Sequence, residues 1–261
     1  MKPANRESSY IGVLGVMLLC LLAWGWPARA GDLETGRQAI MAGKYEQALQ
    51  ILQPLAEAGD AGAQVALGAM FAQGFGVPRD LAQARSWFSK SARQGNEKAR
   101  FNLLHVADEY LYGEEAGQHC AEALAVITEL VSMEYVSAYT TAGNFFYEGC
   151  GNIPAQPEDG IGWWGEAAEH GDPIAMVNLG VAYATGVGVE QDYEQAMRWY
   201  RASADKGHAA GQYGVGVMYQ YGDGVPRDLA EARRWYELAA AQGDVRARES
   251  LRLLNAEGST R

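Results

Sequence analysis

The chain holds 261 residues, with 21 Lys and Arg against 32 Asp and Glu, a formal net charge of −11 and a hydrophobic share of 48%. That length suffices for one elongated repeat domain or for two globular ones. A balance this acidic argues against nucleic acid or an anionic membrane surface as partner, and suits a soluble chain whose partner carries a basic patch.

Residues 1–30 read as a separate device. Lys2 and Arg6 give a basic start, Ile11 to Ala23 is an apolar run, Trp24-Gly25-Trp26-Pro27 breaks it, and Ala28-Arg29-Ala30 offers a small-x-small cleavage site. This is the layout of a secretory signal. The run falls short of the roughly 20 residues a helix needs to span a bilayer. Cleavage after Ala30 is therefore expected, and an uncleaved membrane anchor is the alternative. Cys20 lies inside the apolar run behind Leu19, which argues against a lipoprotein site. A mature chain starting near Gly31 would be periplasmic or secreted, would have no membrane span, and would be more acidic still. It would keep two cysteines, Cys120 and Cys150, an even number that favours a disulfide in an exported chain.

From there one pattern recurs. Gly-x-x-x-Ala-x-x-x-Leu-Gly-x-x-Tyr-x-x-Gly-x-Gly-Val-x-x-Asp-x-x-x-Ala-x-x-Trp-Tyr-x-x-Ala-x-x-x-Gly runs from Gly171 to Gly207, and again to Gly243 with Gly211 and Val215 in the Ala and Leu places. It also runs from Gly59 to Gly95, with Phe71 for the Tyr and Trp87-Phe88 for the Trp-Tyr. A fixed period of this size marks a solenoid of stacked helix pairs.

Within each unit the steps of three and four residues are helical. Asp80, Asp192 and Asp228 open one helix as N-caps, with Gln83, Gln195 and Glu231 at capping-box spacing. The other helix carries Ala175, Leu179 and Tyr183 on one face. A glycine returns in it at Gly68, Gly143, Gly180 and Gly216, which predicts close packing at a cost in helix propensity. Gly-x-Gly-Val turns join the two helices. The register gives an opening pair at about 33–57, pairs at about 60–94, 96–132, 135–169, 172–205 and 208–241, and a capping helix at about 244–256. The middle is irregular: Glu134 stands at the punctuating glycine place, and an insertion is expected around Glu109 to His119. Almost no strand is expected.

These residues resemble the Sel-one-like repeat, a cousin of the tetratricopeptide repeat, over about 43–256. The resemblance implies an all-α fold: an α/α solenoid of antiparallel helix pairs in a right-handed superhelix, about five repeats over 59–256, behind an N-terminal pair at 31–58 and before a disordered tail at 257–261. It also implies a non-catalytic adaptor or assembly scaffold, with exported bacterial members tied to envelope signalling, polysaccharide export, motility and host contact.

In register, Cys120 follows the N-cap place held by His119, and Cys150 stands in the next pair's turn, so a bridge between neighbouring units is reasonable. A structural staple is the expected role. Redox sensing, metal binding with His119, and unpaired thiols are the alternatives. Ser203-Ala-Asp-Lys206 spells the Ser-x-x-Lys of penicillin-recognising enzymes but has no Lys-Thr-Gly or Ser-Asp-Asn beside it. Some cysteine-rich relatives are linked to β-lactam binding; this chain lacks their cysteine pair in each repeat. Gly211-x-x-Gly214-x-Gly216 falls inside a helix with no strand before it, which fails the test for a nucleotide loop. His105, His119, His170 and His208 are scattered over different units. No catalytic set, cofactor site or metal site is therefore expected.

The aromatics Trp87, Trp163-Trp164, Trp199-Tyr200 and Trp235-Tyr236 are in helical phase and read as packing rather than as a sugar platform, with one ring of Trp163-Trp164 a candidate for exposure. Superhelical stacks bind along the face lined by one helix of each pair. After removal of core positions, that face carries Phe101, Asn102, His105, Thr141, Asn144, Val177, Asn178, Val181 and Tyr213. Such a mixture suits an extended peptide of a protein partner. The expected function is a periplasmic scaffold or adaptor. A regulator of an envelope sensor or assembly machine is the alternative, and a β-lactam- or peptidoglycan-active enzyme a remote one.

Overall fold

A computed structural model describes residues 30–114 and 116–258. Residues 1–29 of the expected signal segment, including Ala28, lie outside these residues, as do 259–261; Ala30 is the first residue of the first helix, and 257 and 258 of the expected disordered tail are helical, continuing the last helix to Gly258. Thirteen helices follow one another among the described residues: α1 (Ala30–Met41), α2 (Tyr45–Glu57), α3 (Ala61–Gln73), α4 (Leu81–Ala92), α5 (Glu97–Tyr112), α6 (Cys120–Ser132), α7 (Val136–Glu148), α8 (Pro157–Glu169), α9 (Pro173–Thr185), α10 (Tyr193–Asp205), α11 (Ala209–Tyr221), α12 (Leu229–Ala241) and α13 (Val245–Gly258). The one extended pairing among them is an isolated antiparallel bridge between Cys150 and Ile153. The fold is an all-α array of antiparallel helix pairs. Contacts divide the described residues into two compact units, the first ending at Asn96 and the second beginning at Glu97. The first holds α1–α4 and the second α5–α13.

Local chemistry sets the helix ends. The carboxylates of Asp80, Asp192 and Asp228 accept from the backbone N–H of Gln83, Gln195 and Glu231 at 2.9, 3.0 and 3.1 Å, each satisfying a donor the first turn leaves open. The capping box closes on one side only. The N–H of each aspartate instead donates to a carbonyl of the preceding helix, Phe71, Tyr183 and Tyr219 respectively, at 2.9 Å. With that donor taken, the Gln83 side chain turns to the Asp80 carboxylate itself, at 3.2 Å. These contacts, led by the Gln83 backbone hydrogen bond, hold the Asp80 carboxyl below its ordinary value.

The returning glycine in the first helix of each repeat is a packing device. A Cβ on Gly68, Gly143, Gly180 or Gly216 would come within 2.7, 2.2, 2.6 and 2.6 Å of the rings of Phe88, Trp164, Tyr200 and Tyr236. Each ring is buried, and each is the second aromatic of its pair. The aromatic thus lies on bare helix backbone, and the two helices approach closely. Leu52, Leu55, Leu67 and Met70 centre the core of the first unit. In the second unit, Leu103, Val106, Ile127 and Leu130 are buried between α5 and α6, followed by clusters around Trp164 and Leu179, around Tyr200 and Val215, and around Tyr236 and Leu254. Each fully buried side chain of this size contributes roughly 1.5–3 kcal/mol.

The expected insertion near 109–119 takes another form. The α5–α6 connection, 113–119, is as short as the regular turns, whereas α5 has 16 residues against 13 in α3, α7, α9 and α11. The extra residues add close to one helical turn. That keeps every backbone group of the insertion hydrogen-bonded within the helix.

Candidate functional site

The expected partner face lies wholly in the second unit. Phe101 and His105 on α5 are exposed and Asn102 half-buried. Thr141 on α7 is buried, and its hydroxyl donates to the Ser137 carbonyl at 3.2 Å, so it presents no group to a partner. Asn144 is drawn into packing. Its Oδ1 accepts from Trp164 Nε1 at 3.0 Å and from Asn178 Nδ2 at 3.1 Å, which ties α7, α8 and α9 together. Asn144 and Asn178 therefore spend their polarity on each other and on the indole. The remaining three, Val177, Val181 and Tyr213, share one cavity.

That cavity, of about 360 Å³, is a groove walled by Val177, Val181 and Ala184 of α9, Tyr193 and Tyr200 of α10, Ala210, Tyr213, Gly214, Val217 and Met218 of α11, and Arg246 of α13, with Asp223 in the turn after α11. Burial raises the Tyr200 phenol to about 12, so it stays neutral at physiological pH. The Arg246 guanidinium lies over the Tyr213 ring at 4.5 Å and reaches the Asp244 carboxylate at 2.7 Å. That hydrogen bond holds the Asp244 carboxyl below its ordinary value. Its wall is apolar, with two charged groups, Asp223 and Arg246, at the margin, a make-up common to ligand pockets. The contribution of α13 was not legible in the sequence, because Arg246 meets Tyr213 only when the capping helix folds back on α11.

Cys120 and Cys150 are joined, with S–S 2.08 Å and Cα–Cα 5.8 Å. The repeat register explains the place of the bond. In the turns after α3, α9 and α11, the second glycine presses on the start of the preceding pair's second helix. A Cβ on Gly76 would meet Tyr45 at 2.6 Å, on Gly188 Pro157 at 2.5 Å, and on Gly224 Tyr193 at 2.5 Å. Gly151 stands in the same place, and its Cβ would meet Gly117 at 2.2 Å and Cys120 Sγ at 3.1 Å. The residue between the two turn glycines is Phe75 in one copy, stacked on Tyr45 at 4.9 Å. In another it is Cys150, bonded to the first residue of α6. The bridge is the covalent form of a contact that the other copies make by packing. His119 stands at the N-cap of α6, its Nδ1 3.8 Å from the Glu122 carboxylate and its ring tilted against Tyr110 at 5.5 Å. No group of three metal-ligating side chains occurs among the described residues.

The same register is matched by the model of the Sel1 repeat at residues 61–96, 137–172, 173–208 and 209–244, more than half of the chain. The chain belongs to the Sel1 repeat family. Two solved structures extend the likeness. A Sel1 repeat protein from Oxalobacter formigenes is 30% identical, with 85% of this chain and 87% of that one covered and a TM-score of 0.63. A protective antigen present in uropathogenic Escherichia coli strains, displaying an SLR fold, is 26% identical, with 96% of this chain and 52% of that one covered and a TM-score of 0.68. Among curated proteins, an uncharacterized protein of Neisseria meningitidis serogroup B is 27% identical over 123 residues, 47% of this chain and 24% of that protein. A chitin synthase regulatory factor of Schizosaccharomyces pombe is 38% identical over 73 residues, 28% of this chain and 8% of that protein. The chain thus spans about a quarter of the first curated relative and less than a tenth of the second. The Sel1 repeat is a helical scaffold typical of protein–protein interaction, and generally a non-catalytic one.

The Sel1 repeats also absorb the residues that resembled chemistry. Ser203 is fully buried and its hydroxyl donates to the Pro173 carbonyl at 2.8 Å. Ser91 does the same to Ala61 at 2.8 Å in an earlier copy. Ser203 thus ties the ends of paired helices, and its hydroxyl also lies 3.4 Å from His208 Nδ1. Gly211 lies under Ser203 and Gly214 under Tyr200, so both are contact glycines of α11. Trp164 is buried and Trp163 half-buried, so neither ring is fully exposed. Among the described residues no helix is long and apolar enough to cross a membrane.

Proposed function

We propose that this Sel1 repeat protein is an exported, non-catalytic scaffold that seats a segment of a protein partner in the groove between α9, α11 and α13. The observation that carries the reading is the coincidence of three residues expected on the partner face, Val177, Val181 and Tyr213, in one preformed apolar cavity. The cavity takes an apolar side chain, and the acidic balance of the chain favours a partner with a basic patch. Export is supported by the basic, apolar and small-x-small segments of residues 1–30 and by the joined cysteines, since disulfides persist in oxidising compartments. N-terminal sequencing of the protein from cells is expected to start at Gly31.

Site-specific photocrosslinking tests the groove. A photoreactive residue at Val181, itself exposed, is expected to capture a defined protein from intact cells. The same residue at Arg198, exposed on α10 and outside the groove lining, is not. Equal capture from both positions would overturn the assignment. Regulation of an envelope sensor or assembly machine would use the same groove. A deletion strain with altered transcription and an intact assembly would favour it over scaffolding.

A further inference from the structure

A second concave site lies between α7 and α8, with a volume of about 520 Å³. Its apolar wall is Tyr139 and Phe146 of α7 and Trp163 of α8, with the Trp163 and Tyr139 rings stacked at 6.0 Å. Its remaining lining is Gly162 and three carboxylates of α8: Glu158, Asp159 and Glu166. All three are exposed, and none has an ion-pair partner among the described residues. Gly162 keeps the wall open, since a Cβ there would meet nothing within 4 Å.

The repeat register says what such a site lacks. Trp163 is the first aromatic of its pair, the place of Trp87, Trp199 and Trp235. Trp87 carries Lys90 Nζ over its ring at 3.9 Å, from three residues further along its helix. Trp235 carries the Arg201 guanidinium at 5.6 Å. Trp199 packs on the core around Leu179. The position three beyond Trp163 is Glu166, which supplies charge of the opposite sign. Nor can a nearby part of the sequence offer a cation: between Arg100 and Arg198 the chain has no lysine or arginine, against sixteen Asp and Glu. Two copies of the repeat thus cover this tryptophan with a cation from the chain itself. The Trp163 copy instead surrounds its tryptophan with three carboxylates in a stretch without lysine or arginine, where the nearest basic ring, His170, stacks on Tyr139 at 5.6 Å.

We infer that the Tyr139–Trp163 cavity receives a lysine or arginine side chain from a basic segment of a protein partner. The cation would lie on the aromatic faces while the carboxylates neutralise it, the combination that makes a partly enclosed cation–π contact effective. The inference deepens the proposed protein-binding role by placing a second, charge-selective contact on α8, and it does not depend on the groove at α9–α13.

The test needs no native partner. Indole N–H signals of the full chain are followed by NMR while a capped tetra-arginine peptide is added, and the Trp163 signal is assigned by its disappearance in Trp163→Phe. Saturable movement of the Trp163 signal is expected, with none on capped tetraglutamate. The Glu158→Gln/Glu166→Gln double variant is expected to weaken binding about tenfold, and Glu190→Gln/Glu194→Gln, equally exposed, less than about twofold. An unmoved Trp163 signal, or equal weakening by the two double variants, would overturn the site. A tetramethylammonium ion binding as tightly as the peptide would assign the cavity to a free small cation instead. Failure here leaves crosslinking at Val181 unaffected, and failure there leaves this titration unaffected.

Discussion

At the scale of single residues, glycine carries much of the specificity of this fold. Gly180 lies under Tyr200 and Gly216 under Tyr236 because any side chain would occupy the space of the ring. Propensity favours alanine over glycine in a helix by roughly 1 kcal/mol, yet the clash reverses the sign. Gly180→Ala is expected to destabilise the protein by about 1–3 kcal/mol in urea unfolding. Gly162→Ala, where a Cβ meets nothing, is expected to be neutral or stabilising by up to about 1 kcal/mol. Similar losses in both variants would refute the packing role. The recurrence of this glycine was visible in the sequence, and so was its meaning, since a glycine kept in a helix against propensity implies a close neighbour. Which aromatic of each pair lies on it was not visible. Both fit the helical stripe, and only the crossing of the two helices puts the second against the backbone.

Whole elements show how the repeat tolerates irregularity. The punctuating glycines Gly95, Gly171 and Gly207 take positive φ, 83, 86 and 80°, a region glycine enters without cost. Glu134 stands in the same place between α6 and α7 and takes φ 54°, the one positive φ of a non-glycine residue among the described residues. The sequence register marks Glu134 as the odd residue; the structure adds that the backbone keeps the glycine conformation regardless. Helices α6 and α7 pack on each other and impose the chain reversal. Relief of that strain is worth about 1 kcal/mol, partly offset by the freedom glycine gains when unfolded. Glu134→Gly is therefore expected to raise the urea midpoint modestly, and a lowered midpoint would show that the Glu134 side chain contributes more than its backbone costs. The insertion teaches the same lesson. Sequence spacing reveals the extra residues but not where they go, because a longer helix and a longer loop share one spacing, and backbone hydrogen bonding favours the helix.

At the scale of the whole molecule, a single covalent tie joins the α5–α6 pair, which the family pattern does not match, to the α7–α8 pair, which it does. A closed loop with a sequence separation of 30 residues restricts the unfolded chain by about 3.6 kcal/mol. Full reduction is expected to lower the unfolding free energy by that order, and thiol titration of the folded, unreduced protein is expected to find no pair of reactive thiols. Two reactive thiols, or no change on reduction, would remove the staple from the account. The bond lies where one other copy stacks Phe75 on Tyr45, so it reinforces a contact the repeat already makes.

Period, helix phase, cap residues and turn glycines are local or repetitive, and the sequence determined them without help: six helix pairs and a closing helix among the described residues. Polar pairing and concavity were decided by the tertiary structure alone. Asn144 and Asn178 look like free surface groups in the sequence and prove to be bonded to each other, because α7 and α9 lie side by side. Arg246 and Asp223 join Val181 and Tyr213 around one cavity although they come from different repeats. A repeat fixes what each helix carries, and the stacking of helices fixes which of those groups are left for a partner.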